Sequence, residues 1–157
     1  FLKHIVAHNI SGQLKIAPEH ILPEVLDAMG KPRVQLYEAF CDAYAKENER
    51  QGKKQYLIPY FIAAHPGSTL KDAVELALYM HRHHFVPDQV QEFYPTGLDP
   101  RPGKQFARIY VPKGRERTLQ RALLQYNKPE NRFLVREALR DCGMQGAERV
   151  LFSHDTR

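Results

Sequence analysis

Apolar residues in the first part of the chain gather in three short runs that predict β-strands. Residues 13–17 follow the Ser11-Gly12 turn, residues 56–64 are nearly all apolar or aromatic, and residues 89–94 form the third run. The middle run shows no polar alternation, which is typical of a strand covered on both faces in a parallel sheet. We therefore predict that the three runs pair as neighbouring parallel strands.

Segments with a helical period separate these runs. Pro23 suits the first turn of a short helix over 23–29, and Gly30 suits its end. A second helix over 34–51 is predicted by an apolar stripe at spacings of three and four, comprising Tyr37, Phe40, Cys41 and Tyr44. Ser68 or Thr69 can cap a third helix over 69–84. Because strands and helices alternate, we predict an α/β fold with right-handed parallel crossovers.

The chain changes character at Gly97. Residues 97–103 hold two prolines and two glycines and predict a loop, and residues 109–111 predict a short edge strand. Two amphipathic helices are predicted over 116–127 and 130–142, the second ending at Gly143, and the residues after them are expected to be frayed. These features divide the chain into an α/β unit over residues 1–96 and a helical extension over residues 97–157.

Composition places the chain among soluble globular domains. Its 157 residues are 43% hydrophobic and 26% charged, and no apolar run approaches the roughly 18 residues that a transmembrane helix needs. We expect no membrane association and a cytoplasmic location. The two cysteines, Cys41 and Cys142, are too few and too far apart for a disulfide framework or a metal centre, so we interpret them as buried free thiols. The first residue is Phe1, which we expect to be internal to a longer protein.

The net charge of +5 is concentrated in one segment. Between Asp99 and Arg121 there are seven basic residues and two acidic ones; the basic residues are Arg101, Lys104, Arg108, Lys113, Arg115, Arg117 and Arg121. Such a cluster can bind phosphates, which makes nucleic acid a candidate partner. The alternative interpretation is a solvated basic loop that leads into a helix.

Polar residues follow the predicted strands where parallel α/β proteins place their binding sites, at the carboxy ends. Glu19 can accept hydrogen bonds from a sugar hydroxyl, or it can simply favour the start of the next helix through the helix dipole. His65 can donate to a ligand or hold its own loop in place. Gly67 lets the backbone approach a ligand, with the amides of residues 67–70 facing an anion, or it is an ordinary turn glycine.

Histidines near the end of the third predicted helix do not make a convincing metal site. His81 and His84 share a helix face, but Arg82 opposes a cation and no carboxylate stands nearby in the sequence. We therefore assign no metal ligands and interpret residues 81–84 as a solvated helix end.

Several segments resemble radical S-adenosylmethionine enzymes. Residues 14–20 and 25–32 are similar to the fourth strand and the following helix of that superfamily, residues 60–69 to the fifth strand and its turn, and residues 91–96 to the sixth strand. The later segments are similar to one branch, the large uncharacterised YgiQ-type proteins, through residues 97–100, 110–113 and 120–126. The resemblance covers roughly residues 1 to 143.

This resemblance implies that the chain is the carboxy-terminal half of a partial (β/α)6 barrel of the TIM type, followed by a small helical extension. The intact protein would be a radical enzyme of unknown substrate and reaction, with a [4Fe-4S] cluster and S-adenosylmethionine as cofactors. The cofactor-binding positions would be Glu19 for the ribose, with Ile62, His65, Gly67 and the backbone around Tyr94 for the adenine. The cluster-binding cysteine loop and the amino-terminal half of the barrel are absent from this sequence, so this chain alone is expected to be inactive. The branch also leads us to expect a longer stretch between Thr96 and Gly97.

Overall fold

The computed structural model describes residues 1–87, 90–92 and 109–153. In chain order the elements are α1 (Leu2–His8), β1 (Gln13–Glu19), α2 (Pro23–Ala28), α3 (Val34–Arg50), β2 (Tyr56–Ala63), α4 (Leu70–Arg82), β3 (Gln91–Glu92), α5 (Gly114–Leu124), α6 (Arg132–Asp141) and α7 (Glu148–Leu151). Short 3-10 turns over Pro129–Asn131 and Gln145–Ala147 precede α6 and α7. The predicted boundary between residues 96 and 97 lies outside the described residues.

The three strands form one parallel sheet in the order β1-β2-β3. Gln13 pairs with Tyr56 at the start of β1 and β2, and Ile62 pairs with Gln91 where β2 meets β3. The prediction of neighbouring parallel strands is confirmed, although only residues 90–92 of the third predicted strand belong to the described part of the chain. An α/β fold is therefore established for this chain.

The first strand runs further than its sequence predicts. Pro18 was expected to stop it, yet β1 continues to Glu19, with an irregular register between Ile16 and Glu19. Ile16 pairs with Pro59 and Glu19 with Phe61, so β1 carries one more residue than β2 over this stretch. The extra residue of such a bulge is left out of the hydrogen-bond ladder, and a strand tolerates proline at a bulge because no amide hydrogen is needed there.

The two faces of β2 differ in burial. Pro59, Phe61 and Ala63 are buried on the face that carries the helices, because α3 and α4 both pack there. Phe61 contacts rings from both helices, with Tyr37 and Tyr79 each 6.4 Å away between ring centroids. The alternate residues, Ile58, Tyr60 and Ile62, are only half-buried, so the described residues leave the second face of this strand without full cover. This corrects the expectation of a strand buried on both faces.

The carboxy-terminal helices complete the core against α4. Leu123 of α5, Leu139 of α6 and Leu151 of α7 are all buried, and they belong to the same apolar cluster as the residues of α4. The expectation that the residues after Gly143 are frayed is therefore wrong for 144–153, where a turn and a short helix place Leu151 in the core. Residues 154–157 lie outside the described part.

Local signals account for several helix ends. Thr69 and Asp72 form the reciprocal hydrogen bonds of a capping box at the start of α4, which confirms the predicted cap. Gly143 ends α6 with a φ of +71°, as expected for a left-handed C-terminal cap. The predicted strand over 109–111 is absent, and helix α1 was not predicted at all.

Candidate site at the strand ends

Glu19 occupies a sharp turn at the end of β1. Its φ is +66°, and the amide of His20 donates to the carbonyl of Pro18 at 2.8 Å across it. A hydrogen bond that spans a single residue with positive φ is a classic γ-turn, which is rare and strained for a residue with a side chain. Ala64, just past the end of β2, also has a positive φ of +54°. Backbone strain of this kind clusters at binding sites, because the surrounding structure must hold it in place.

The carboxylate of Glu19 joins two connections of the fold. One oxygen lies 2.8 Å from the Lys31 ammonium, and the other lies 3.0 Å from Nε2 of His65. Burial alone would raise the pKa of Glu19, but the hydrogen bonds from His65 and Lys31 outweigh it and lower the pKa. The side chain of Glu19 keeps 14% of its surface exposed, so an ionised carboxylate faces this edge of the sheet.

His65 is buried and held on both sides. Its Nδ1 lies 2.9 Å from the carbonyl oxygen of Pro66, and its Nε2 faces Glu19. Both ring nitrogens therefore face oxygen acceptors; a neutral ring can donate to one of them, whereas an imidazolium can donate to both. The histidine side of this contact is shielded from solvent, because His65 is only 1% exposed.

A second buried histidine lies next to this pair. The ring of His20 is 6.0 Å from that of His65 in an edge-on arrangement, and its Nδ1 accepts a hydrogen bond from the Leu22 amide at 3.2 Å. Burial, together with a smaller effect of the neighbouring His65, lowers the pKa of His20 to about 3. His20 is therefore neutral at physiological pH and acts as an acceptor that fixes the connection into α2.

Gly67 has a structural explanation in this fold. Its φ is +82°, and a Cβ added there would lie 3.1 Å from the Cβ of Ala28. Its amide donates to the Tyr110 carbonyl at 2.6 Å, and the next two amides donate to the His65 carbonyl and to the Asp72 carboxylate. The hypothesis that the amides of residues 67–70 face an anion is wrong for these three, because they are already occupied within the protein.

The structure brings some of the predicted site residues together and separates others. Glu19 and His65 are in contact, as expected for residues at the carboxy ends of adjacent parallel strands. Ile62 is half-buried on β2, three residues before His65. Gly67 turns toward α2 and Tyr110, and Tyr94 lies outside the described residues.

The sequence reasoning missed three participants in this cluster. Lys31 was not considered, although it follows the turn glycine Gly30 in the same connection as Glu19. His20 was not singled out among residues 14–20. Ser68 is buried with its hydroxyl 2.6 Å from the His65 carbonyl and 3.1 Å from Oε1 of Gln120, so α5 supports the loop that carries His65. No pattern in the sequence links Ser68 to a residue so distant along the chain.

The described part of the basic segment is largely committed to ion pairs. Arg117 and Arg121 both contact the carboxylate of Glu92, at 2.7 Å and 2.9 Å, and Arg115 pairs with Glu137. Three of the predicted phosphate-binding residues, Arg101, Lys104 and Arg108, lie outside the described residues. These pairs join α5 to β3 and α6, and they compete with any phosphate for the same guanidinium groups.

Neither cysteine is fully buried, which corrects the expectation for both. Cys41 of α3 and Cys142 at the end of α6 are partly exposed. Burial still raises the pKa of each thiol. The residues that the structure describes contain no group of three or more histidine, cysteine or carboxylate side chains placed to hold a metal ion. Over the same residues, no helix has the length and apolar character needed to cross a membrane.

The fold and this cluster define a segment of a parallel α/β protein with a candidate site at its strand ends. A protein from Methanocella arvoryzae is 48% identical to this chain, and the match covers 88% of the chain and 25% of that protein. Proteins from Clostridium perfringens and Geobacter sulfurreducens are each 43% identical, covering 92% and 96% of the chain and 23% and 26% of their own lengths. All three are named UPF0313 proteins.

The chain matches a carboxy-terminal segment of the UPF0313 proteins, which are the YgiQ-type proteins. It spans about a quarter of the length of the curated relatives it matches. The alignment with the C. perfringens protein is 157 positions long, yet it includes only 92% of the residues of this chain. Some aligned positions are therefore gaps in this chain, where that relative has additional residues. No family model and no solved structure matches the chain.

Proposed function

We propose that this chain supplies the ribose-binding edge of the S-adenosylmethionine site in a radical enzyme of unknown substrate. The observation that carries the proposal is the contact between Glu19 and His65, which joins the carboxy ends of two adjacent parallel strands at 3.0 Å. Binding sites of parallel α/β folds are built at this edge from residues on separate connections. The match to a carboxy-terminal segment of YgiQ-type proteins supports the same assignment.

The residues present fit a ribose. An ionised carboxylate offers about four lone-pair sites on two oxygens, and Lys31 and His65 engage one contact on each oxygen of Glu19. Acceptor sites therefore remain for a ribose hydroxyl, and the partial exposure of Glu19 makes them reachable. Lys31 and His65 would hold the carboxylate in one orientation, which lowers the entropy lost when a ligand binds.

The half-exposed face of β2 supports a larger closed structure. Ile58, Tyr60 and Ile62 alternate along this face, and apolar side chains in that pattern are normally covered in parallel sheets. About three quarters of each relative has no counterpart in this chain. A corresponding region of the whole protein would be long enough to cover this face. We propose that the remaining part of the protein supplies the other strands of a partial barrel of the TIM type, with this face turned inward.

The cysteines of this chain do not fit an iron–sulfur cluster. Such clusters are held by several thiolates, and the sequence has only Cys41 and Cys142, which lie on different helices with raised pKa values. The cluster ligands of the proposed enzyme must therefore come from another part of the protein. When held by another part of the protein and reduced, the cluster would supply radical initiation, while residues of this chain would bind and orient the nucleoside of S-adenosylmethionine.

The test is a calorimetric titration of S-adenosylmethionine into the full-length protein. Glu19→Ala should weaken binding by about 1.5–3 kcal/mol, roughly tenfold or more, because a hydrogen bond to a charged acceptor is lost. Glu19→Gln keeps the side-chain shape and should give a smaller loss. Glu49→Ala, on the exposed surface of α3, serves as the control. Unchanged affinity in a folded Glu19→Ala variant would leave Glu19 with a structural role alone.

A further inference from the structure

A cleft of about 650 Å³ lies between α3 and α4, over the helix-covered face of β2. It shares no residue with the strand-end pair of Glu19 and His65. Helix α3 contributes Tyr37, Glu38 and Cys41 to its walls, β2 contributes Phe61, and α4 contributes Tyr79. The volume falls in the range of sites that bind small organic molecules.

Aromatic rings form much of this cleft. Phe61 is surrounded by Tyr37 and Tyr79, each 6.4 Å away, and by Phe85, 6.0 Å away, with interplanar angles from 57° to 82°. Tyr37 and Tyr79 meet Phe61 edge to face and Phe85 is tilted against it, so the rings form a cluster rather than a stack. Such a cluster offers flat apolar contacts and electron-rich faces to a bound molecule.

The carboxylate side chains that line the cleft have no lysine or arginine beside them among the described lining residues. These carboxylates, Glu38 and Asp42, lie along the same side of α3. Glu38 accepts a hydrogen bond from the Tyr79 hydroxyl at 3.0 Å, which leaves other acceptor sites on its carboxylate. Burial raises the pKa of Tyr79, and the bond to Glu38 raises it further, so this phenol remains a donor. His83 packs against the Tyr79 ring at 4.2 Å at the cleft edge.

We propose that this cleft binds a small organic cation, in which an amidinium, guanidinium or ammonium group is attached to a flat apolar body. The cation would pair with the Glu38 carboxylate, and the apolar body would lie against the aromatic cluster. Cations favour the faces of aromatic rings, and a carboxylate can bind a planar cation through two parallel hydrogen bonds. An anionic ligand would meet Glu38 and Asp42 with no opposing lysine or arginine among the described lining residues.

Ligand-observed saturation-transfer NMR on the full-length protein tests this proposal with three soluble probes of one shape. Benzamidinium carries the cation, benzamide is its neutral counterpart, and benzoate is the anion. We expect saturable binding of benzamidinium that is about tenfold or more tighter than that of benzamide, because the amidinium adds an opposite charge to its hydrogen bonds with the Glu38 carboxylate. Benzoate should not compete.

Three variants assign the binding to the cleft. Glu38→Gln keeps the shape of the side chain and should weaken benzamidinium binding about tenfold or more. Asp42→Asn, at an exposed position, should weaken it by a smaller factor and covers the case in which the first variant does not fold. Glu49→Gln lies on α3 outside the cleft and should bind as the unaltered protein does.

Three results would overturn the proposal. The first is equal affinity for benzamidinium and benzamide. The second is unaltered benzamidinium affinity in both single variants, Glu38→Gln and Asp42→Asn. The third is an absence of saturable benzamidinium binding. The last result is also expected if another part of the protein fills the cleft. In each case the proposed role of Glu19 in nucleoside binding would stand or fall separately, because the two sites share no residue.

Discussion

Replacing Glu19 by alanine and by glycine separates the two features that meet at this residue, its ion pairs and its strained backbone. Alanine removes the carboxylate and keeps a Cβ at a φ of +66°. Glycine removes the carboxylate as well, but it adopts positive φ at little steric cost. The difference between the two variants therefore reports the strain of the γ-turn, and the loss common to both reports the side-chain contacts.

The structure sets the size of each effect. Truncating Glu19 leaves Nε2 of His65 without its acceptor, and His65 is only 1% exposed, so the loss is about 1–3 kcal/mol. The contact with Lys31, whose side chain is 40% exposed, adds less than about 1 kcal/mol. Glycine should then be more stable than alanine by about 0.5–1 kcal/mol, because relief of the left-handed conformation exceeds the added chain entropy of glycine.

Urea unfolding followed by circular dichroism measures these differences. Lys46, an exposed position inside α3, provides a matched control of opposite sign, because glycine in a helix interior is about 1 kcal/mol less stable than alanine. A Glu19→Gly variant less stable than Glu19→Ala would contradict the assignment of backbone strain to the γ-turn. A loss below about 0.5 kcal/mol in both variants would mean that the Glu19 contacts give no net stabilisation, and Glu19 would then be free to serve binding alone.

Further measurements test other parts of the structure. Gly67→Ala should lower the free energy of unfolding by about 2 kcal/mol or more, because the position combines a positive φ with a 3.1 Å contact to a neighbouring side chain. Gly12→Ala is the control and should change stability little, because no atom lies within 4 Å of the added Cβ. Equal effects of the two variants on thermal unfolding would contradict this prediction. The folded state lowers the pKa of His20 to about 3, so the free energy of unfolding should fall as the pH drops below about 6.5. The loss should reach roughly 2 kcal/mol between pH 7 and pH 5. In urea titrations, His20→Asn should flatten this pH dependence. If residues 101–121 bind nucleic acid, the affinity for RNA should fall steeply with salt in filter-binding assays, and a flat dependence would favour the alternative of a solvated basic surface. Anaerobic reconstitution of this chain with iron and sulfide should yield no stoichiometric cluster by absorbance, because its two cysteines cannot supply the ligands.

The sheet and the central contact of the site could be predicted because they follow from strong local signals. The apolar run over β2 and the alternation of strands with helices indicate a parallel sheet. In such a sheet the residues that follow adjacent strands must lie at one edge, so the meeting of Glu19 with His65 follows from topology alone. A rule about strand ends therefore succeeded where single residues were ambiguous.

Other features depend on tertiary contacts that leave no periodic signal. Residues 109–111 have high β-propensity, yet the Tyr110 carbonyl accepts from the Gly67 amide instead of joining a ladder. Leu151 lies in a helix of four residues, too short for an amphipathic period, and it is ordered by the core that it enters. The predicted strand ended before Pro18, but β1 continues through the bulge at this point. Pro18 has no partner in the ladder there, so the strand does not require an amide hydrogen from it.

Contacts at two places, Glu92 and Tyr110, fix where the chain leaves the sheet and where it returns. Glu92 is held by Arg117 and Arg121, and Tyr110 is held by the amide of Gly67. Both ends of the intervening stretch are thus anchored by contacts that do not involve it. The free energy of closing such a connection grows only slowly with its length, by about 0.6 kcal/mol for each doubling. A connection between these two anchors can therefore be lengthened or shortened with little penalty to the core, so a sequence can gain or lose residues there without redesigning the fold.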